Sequence, residues 1–267
     1  MKTEQTKNRR RRIAVILDAS GHSYRALELA LAIAAGLKAE VEGVFVEDAD
    51  LLRLAGLPFV REVRGATLNE EQVSADRLQR ELRGLARQAR KSLESSADRH
   101  GVNWSFRVWR GSERAEILAA ALEAEMLTLG AVDSYAPFRN RPLPATAAKS
   151  PPSLVVAVVF NGSDTSSRAL SAAAHLARSK QGELRILLQC ADPDEQKKLR
   201  KKALSQLKDK PPKPAFLRAG SSTPELAQAV VRSAGDVLVI DAQNNLLEGR
   251  TIWQCVQAVH CPLLVVR

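Results

Sequence analysis

Aromatic residues are scarce: three tryptophans, two tyrosines and six phenylalanines make up 4% of the 267 residues. A core must therefore come from aliphatic side chains, which the 45% hydrophobic content supplies. Rings do not interleave with the runs of basic residues, as they do in a stacking platform for single-stranded nucleic acid. Cysteine is scarcer still. Cys190, Cys255 and Cys261 are odd in number and form no CxxC pair, which argues against a disulfide framework and a zinc site. The histidines, His22, His100, His175 and His260, are too scattered for a metal cluster. No apolar run reaches the ~18 residues that a membrane span needs. The first dozen residues are polar and basic, without the apolar stretch of a secretion signal. These absences lead us to expect a cytoplasmic protein with no membrane span and no metal.

What is present begins with length and charge. A chain of 267 residues exceeds one typical domain, so two domains are expected. The net charge is +10. It is concentrated in Arg9 to Arg12, in Lys197, Lys198, Arg200, Lys201 and Lys202, and in Lys208, Lys210 and Lys213. Such runs suit either an anionic partner or a tail and a solvated helix face. With no recognition motif beside them, the solvated face is favoured over nucleic acid.

The chain repeats itself. Residues 13–31, IAVILDASGHSYRALELAL, read like residues 156–174, VAVVFNGSDTSSRALSAAA. Arg25-Ala26-Leu27 aligns with Arg168-Ala169-Leu170, and Ser20 with Ser163 at the same offset. Each copy is a β-rich apolar run, a small polar turn and an Ala/Leu-rich helix. Residues 106–130 and 216–240 form a second pair, each a strand, a Gly-Ser turn, a helix and another strand. In the later copy Thr223 is placed to cap the helix and Pro224 to enter its first turn. Alternating strands and helices predict a parallel sheet covered on both faces, with right-handed crossovers.

The remaining elements follow. Val41 to Val46 read as a second strand, and about 70–99 as a long helix with the stripe Leu78, Leu82, Leu85, Ala89 and Leu93. Gly101 is placed to stop it. Leu184 to Cys190 read as a strand, about 194–208 as the basic helix, and Leu263 to Val266 as the last strand. Pro211, Pro212 and Pro214 separate the basic helix from the next strand.

This ordered set resembles the universal stress protein family. The residues that carry the resemblance are Val15 to Ser20 with Ser23, Arg25, Ala26 and Leu27, then Asn161-Gly162-Ser163 with Arg168-Ala169-Leu170, and the ending Cys261 to Val266. It covers nearly the whole chain beyond residue 12. It implies a basic tail at 1–12 and two tandem doubly wound α/β domains, Rossmann-like and HUP-type, at 13–150 and 151–267. Five strands per domain are implied, with a ligand cleft at the carboxyl ends of the strands. In members that bind ATP, the aspartate after the first strand contacts the nucleoside. An apolar residue ending the second strand touches the base, and a Gly-x2-Gly-x9-Gly-Ser/Thr loop wraps the phosphates. The resemblance therefore makes Asp18, Ala19, Ser20, Val46 and Gly130 the candidate nucleotide residues of the first domain. Those of the second are Asn161, Gly162, Ser163, Gly249 and Arg250.

Both copies depart from the pattern. After Gly130 the first copy runs Ala131-Val132-Asp133-Ser134-Tyr135-Ala136-Pro137, with no further glycine before the second repeat. Asp133 would repel a phosphate. The second copy has Asn161 for the aspartate, Asp241 at the first loop glycine and Asn244 at the second. Arg250 stands where a small hydroxyl residue belongs, and only a side-chain contact to an anion is left to it. Phosphate cradling is thus expected to be lost in both domains. Between Gly130 and Val155 there is also little room for a last helix and strand, and five prolines interrupt the stretch. The first domain is expected to be truncated at its C-terminal end, with an open edge covered by the second domain or another subunit.

Other features have two readings each. Residues 51–59, LLRLAGLPF, suit a lid or subunit contact, or a short helix packed on its own domain. Trp104, Trp109 and Trp253 are read as core or interface residues rather than a stacking platform. His22 is read as exposed at a helix start rather than touching a ligand. Ser20 and Ser163 lie outside any GxSxG and have no assignable His/Asp partners, which argues against hydrolase chemistry.

The functional expectation is a non-catalytic stress-response protein that acts through association, as a homo-oligomer, a pseudo-symmetric domain pair or with a protein partner. No cofactor is expected. The alternative is an ATP- or AMP-binding switch in the first-domain cleft, with weak nucleotide hydrolysis left open.

Overall fold

A computed structural model describes residues 11–17, 21–57, 61–64, 69–72, 75–111, 124, 126–129, 154–207, 214–247 and 261–267. The first half comprises β1 (Arg12–Leu17), α1 (Gly21–Leu37), β2 (Glu40–Asp48), α2 (Ala49–Ala55), β3 (Arg61–Arg64), β4 (Asn69–Gln72), α3 (Ala75–His100), β5 (Trp104–Gly111) and β6 (Met126–Leu129). The second comprises β7 (Val155–Phe160), α4 (Asp164–Ser179), β8 (Glu183–Leu188), α5 (Pro193–Gln206), β9 (Ala215–Arg218), α6 (Thr223–Ser233), β10 (Val237–Asp241), a 3-10 turn at Asn245–Leu247 and β11 (Leu263–Val266).

Nine strands form one sheet in the order β5-β2-β1-β6-β11-β10-β7-β8-β9. All neighbours are parallel except β6 and β11, which are antiparallel. Each half therefore places its third, second, first and fourth strands in the same order, and β11 adds a fifth to the second half. At the seam Leu263 pairs with Leu129, Leu264 with Thr128, Val265 with Leu127 and Val266 with Met126. The edge of β6 is thus covered by β11. Residues 131–152, where the truncation is expected, lie outside the described residues. Because the seam is antiparallel, the carboxyl ends of the two sets of strands lie at opposite ends of the sheet.

The apolar runs become strands because both faces of the sheet are covered. In β1, Ile13, Val15 and Leu17 enter one core while Ala14 and Ile16 enter the other. In β7, Val156, Val158 and Phe160 face one way, Ala157 and Val159 the other. Helices α1, α3, α4 and α5 pack on the first face, and α6 on the second. This is the doubly wound α/β architecture that the alternation predicts. The first core draws on both halves, with Leu27 and Leu170 in one cluster. There α1 and α4 approach so closely that a Cβ on Gly36 would lie 2.7 Å from His175 Nε2.

Two local expectations shift, and one of the two readings of residues 51–59 is met. The long helix begins at Ala75 rather than 70, because Asn69–Gln72 pairs antiparallel with Arg61–Arg64. The apolar stripe starts only at Leu78. Leu78, Leu82, Ala86, Ala89 and Leu93 are buried along it, and Leu85 is partly so. Gly101, at φ +63°, follows its last turn. Helix α6 is capped by Ser222, not Thr223. The Ser222 hydroxyl accepts from the Glu225 N–H, and the Glu225 carboxylate accepts from the Ser222 N–H. Finally, the apolar segment after β2 forms α2, whose Leu52 and Ala55 pack on Leu78 and Leu82 of α3. Its continuation, residues 58–60, lies outside the described residues, as does the expected helix before β6.

The basic run lies on α5, where Leu199 and Ala203 face the core and the cations face out. Lys197 pairs with Asp194 at 2.9 Å, Lys202 donates to the Gly162 carbonyl, and Arg200 stacks on Phe216. No helix among the described residues is long and apolar enough to cross a membrane.

Candidate functional site

In an open parallel sheet, ligands bind where neighbouring crossovers turn in opposite directions. The order of strands puts one such point between β1 and β6 and another between β7 and β10.

In the first half the chain leaves β1 at Leu17 and β6 at Leu129. Asp18, Ala19 and Ser20 follow the one strand end in sequence and Gly130 follows the other. All four lie outside the described residues. The Thr128 hydroxyl donates to the Ala14 carbonyl at 3.4 Å, tying the two strands together. Val46 is half-buried on β2 and faces the second core. Its cross-strand partner is Trp109 of β5, which packs on the same core. The Trp109 Nε1–H is shielded from solvent and has no acceptor among the described residues. Arg107 lies 5.5 Å above the indole. Trp109, expected in the core or at an interface, stands beside the position assigned to a base.

The second half is described in more detail. After Phe160 the Asn161 side-chain oxygen accepts from the Ser163 N–H at 2.9 Å, closing a tight turn. Gly162 sits at φ +82°, and a Cβ there would meet Leu199 at 2.7 Å. Ser163 then caps α4, its hydroxyl accepting from the Ser166 N–H. The three predicted residues are thus brought together, but each is used locally.

Across the crevice Asp241 ends β10 with 1% of its surface exposed. Its Oδ1 accepts from the Thr165 hydroxyl and from the Gln243 N–H, both at 3.1 Å. Its Oδ2 has no partner among the described residues. Asn244, also buried, donates to the Gln189 side-chain oxygen at 3.1 Å. Asp241 and Asn244, the residues that replace loop glycines, are therefore engaged with α4 and the end of β8. Gly249 and Arg250 lie outside the described residues. Thr165 and Gln189 were not singled out in the sequence; Thr165, two positions after the cap, was the one available hint.

Chemically, this crevice offers a carboxylate where a phosphate would have to sit. Two unit charges 4 Å apart repel by about 4 kcal/mol at an effective dielectric constant near 20. Elsewhere, burial pushes the Cys261 thiol up to about 12, so it stays protonated at neutral pH. Cys190 is raised by burial too. No group of three or more His, Cys, Asp or Glu among the described residues is arranged to hold a metal.

Residues 9–139 match the model of the universal stress protein family. That segment, just under half of the chain, is a universal stress protein segment. Comparison with curated proteins gave no match. Among solved structures, a universal stress protein from Archaeoglobus fulgidus DSM 4304 aligns over 96% of this chain and 98% of its own. Its identity is 13% and the TM-score 0.54, a likeness of fold. A universal stress protein in complex with cAMP aligns over 43% of this chain and 96% of its own, at 17% identity and TM-score 0.32. A functionally unknown protein from Pseudomonas aeruginosa PAO1 covers 97% and 92%, at 10% identity and TM-score 0.45. The full-length alignment to the Archaeoglobus stress protein spans both halves of the sheet.

Proposed function

We propose that this chain is a tandem universal stress protein, non-catalytic and cytoplasmic, that serves the stress response by association, with degenerate nucleotide sites. Its parts are a basic tail at 1–12 and domains at 13–150 and 151–267, packed as a pseudo-symmetric pair. The family match over residues 9–139 supports the stress-response role. The observation that carries the rest is the buried Asp241 carboxylate, held by Thr165 and Gln243 at the second switch point. It opposes phosphate where Asn161, Gly162, Ser163, Gly249 and Arg250 would otherwise hold one. The association partner is a second copy or another protein, not nucleic acid, and no cofactor is required.

A second reading is favoured by one feature only. The unpartnered Trp109 Nε1–H beside Val46 could serve an adenine base in the first-half cleft, with Asp18, Ala19, Ser20 and Gly130 nearby in sequence. This would make the protein an ATP- or AMP-dependent switch.

Thermal unfolding with AMP or ATP separates the two. Ligand at about one hundred times its Kd adds roughly 2.7 kcal/mol. For a chain of this size that amounts to roughly 5–10 °C in Tm. The wild type and Asp18→Ala are expected to respond alike to each nucleotide. A shift present in the wild type and lost in Asp18→Ala would establish the switch. Turnover of the nucleotide would contradict the non-catalytic reading.

A further inference from the structure

A groove of about 1000 Å³ lies between the N-terminal half of α3 and the carboxyl ends of β2 and β5. It opens near the outer edge of the sheet and on the face opposite Val46 and Trp109, so it is separate from the switch point. Arg80, Arg83 and Arg87 line one wall, and Arg110, Val108 and Glu47 the other. Four guanidinium groups thus surround a single carboxylate. Glu47 is buried and its Oε2 accepts from the Arg110 Nε at 2.6 Å. The one acid in the groove is committed to fixing Arg110.

Arg80, Arg83 and Arg87 have no such acid among the described residues. Their spacing of three and then four residues puts them on one helix face, where like charges repel. No carboxylate among the described residues pairs with any of them. Arg80 and Arg87 each donate their Nε to the carbonyl four residues back, Asp76 and Arg83. That bond restrains the side chain and leaves the terminal nitrogens to point elsewhere. An arginine fork matches two phosphate oxygens at once. Several uncompensated forks around a concavity the size of a small-molecule site call for a compact ligand of several negative charges.

We propose that this groove binds an oligophosphate, held by Arg80, Arg83, Arg87 and Arg110. The phosphate chain is the shared chemistry, whether it is free or the tail of a nucleotide. No ring among the described lining residues offers a base a surface to stack on, which disfavours a single-stranded nucleic acid.

Calorimetric titration with inorganic tripolyphosphate at low salt tests this. The expected result is saturable, near-equimolar binding that weakens as salt rises. Arg83→Ala should weaken it about tenfold, the loss of one charge-assisted contact. Arg83→Glu should abolish it, and Lys91→Ala, on α3 outside the groove, should leave it unchanged. Arg83 is exposed, so folding should survive its replacement. If the source is a nucleotide tail, ATP should bind more tightly than tripolyphosphate, lose binding in Arg83→Glu and keep it in Asp18→Ala. Absence of saturable binding, or an equal loss in Lys91→Ala, would overturn the proposal. So would an oligonucleotide that binds more tightly than tripolyphosphate with the same dependence on Arg83.

Discussion

Val265→Asp is expected to abolish folding of both halves together. Val265 lies in β11, 1% exposed, between Leu127 of β6 and Ile240 of β10. All three belong to one core. Losing a buried valine side chain costs about 1.5–3 kcal/mol. Placing an unpaired carboxylate there adds several kcal/mol more. The sum of about 5 kcal/mol or more rivals the entire stability of a domain, roughly 5–15 kcal/mol. The position also makes the damage common to both halves, because β11 closes the edge of β6 as well as that of β10. Hydrogen exchange of the variant should show loss of protection in β1 and β6 along with β7 and β10. Native protection persisting in β1 and β6 would mean that the first half stands without the seam.

Two glycine-to-alanine changes should have opposite signs. A Cβ on Gly182 would overlap the carbonyl oxygen of Leu154, a backbone atom with no flexible end to move aside. That same oxygen accepts from the Glu183 N–H at 2.8 Å, at the start of the β7–β8 ladder. Gly182→Ala should therefore cost about 3 kcal/mol, combining steric displacement with a weakened backbone hydrogen bond. Gly84, in the middle of α3, has nothing within 4 Å of its would-be Cβ. Gly84→Ala should add about 0.8–1 kcal/mol through helix propensity. Urea unfolding of both variants checks the contrast, and a neutral Gly182→Ala would show that β7 can shift freely.

The comparison of sequence with structure separates local from non-local information. Strands β1, β7, β10 and β11 were legible because each is a short apolar run buried on both faces. The repeat was legible because the two copies share Arg-Ala-Leu in the same helix turn. The pairing of β6 with β11 was not, since residues some 134–140 positions apart meet there and neither strand carries a local sign of its partner. The same holds for Thr165 and Asp241, 76 positions apart. Their alignment identified Asp241 as a misfit in a phosphate loop, but only the fold shows what occupies its oxygen. The arginine face of α3 was readable from the spacing of 80, 83 and 87. That Glu47 and Arg110 complete a groove beneath it depends on the β2–β5 register. The pairing of 61–64 with 69–72 was missed because the charged residues there fit an amphipathic helix as readily as a strand pair.

These features combine into an asymmetric design. One continuous sheet joins the two halves, the second contributing the strand at the seam and filling its own crevice with Asp241. What distinguishes an association protein from a nucleotide switch is whether the first-half cleft retains a ligand in the cell. The adenine nucleotide released by acid from freshly purified protein measures this directly. The expected result is a trace well below one nucleotide per chain, equal in the wild type and Asp18→Ala. Close to one AMP or ATP per chain in the wild type, with none in Asp18→Ala, would contradict it.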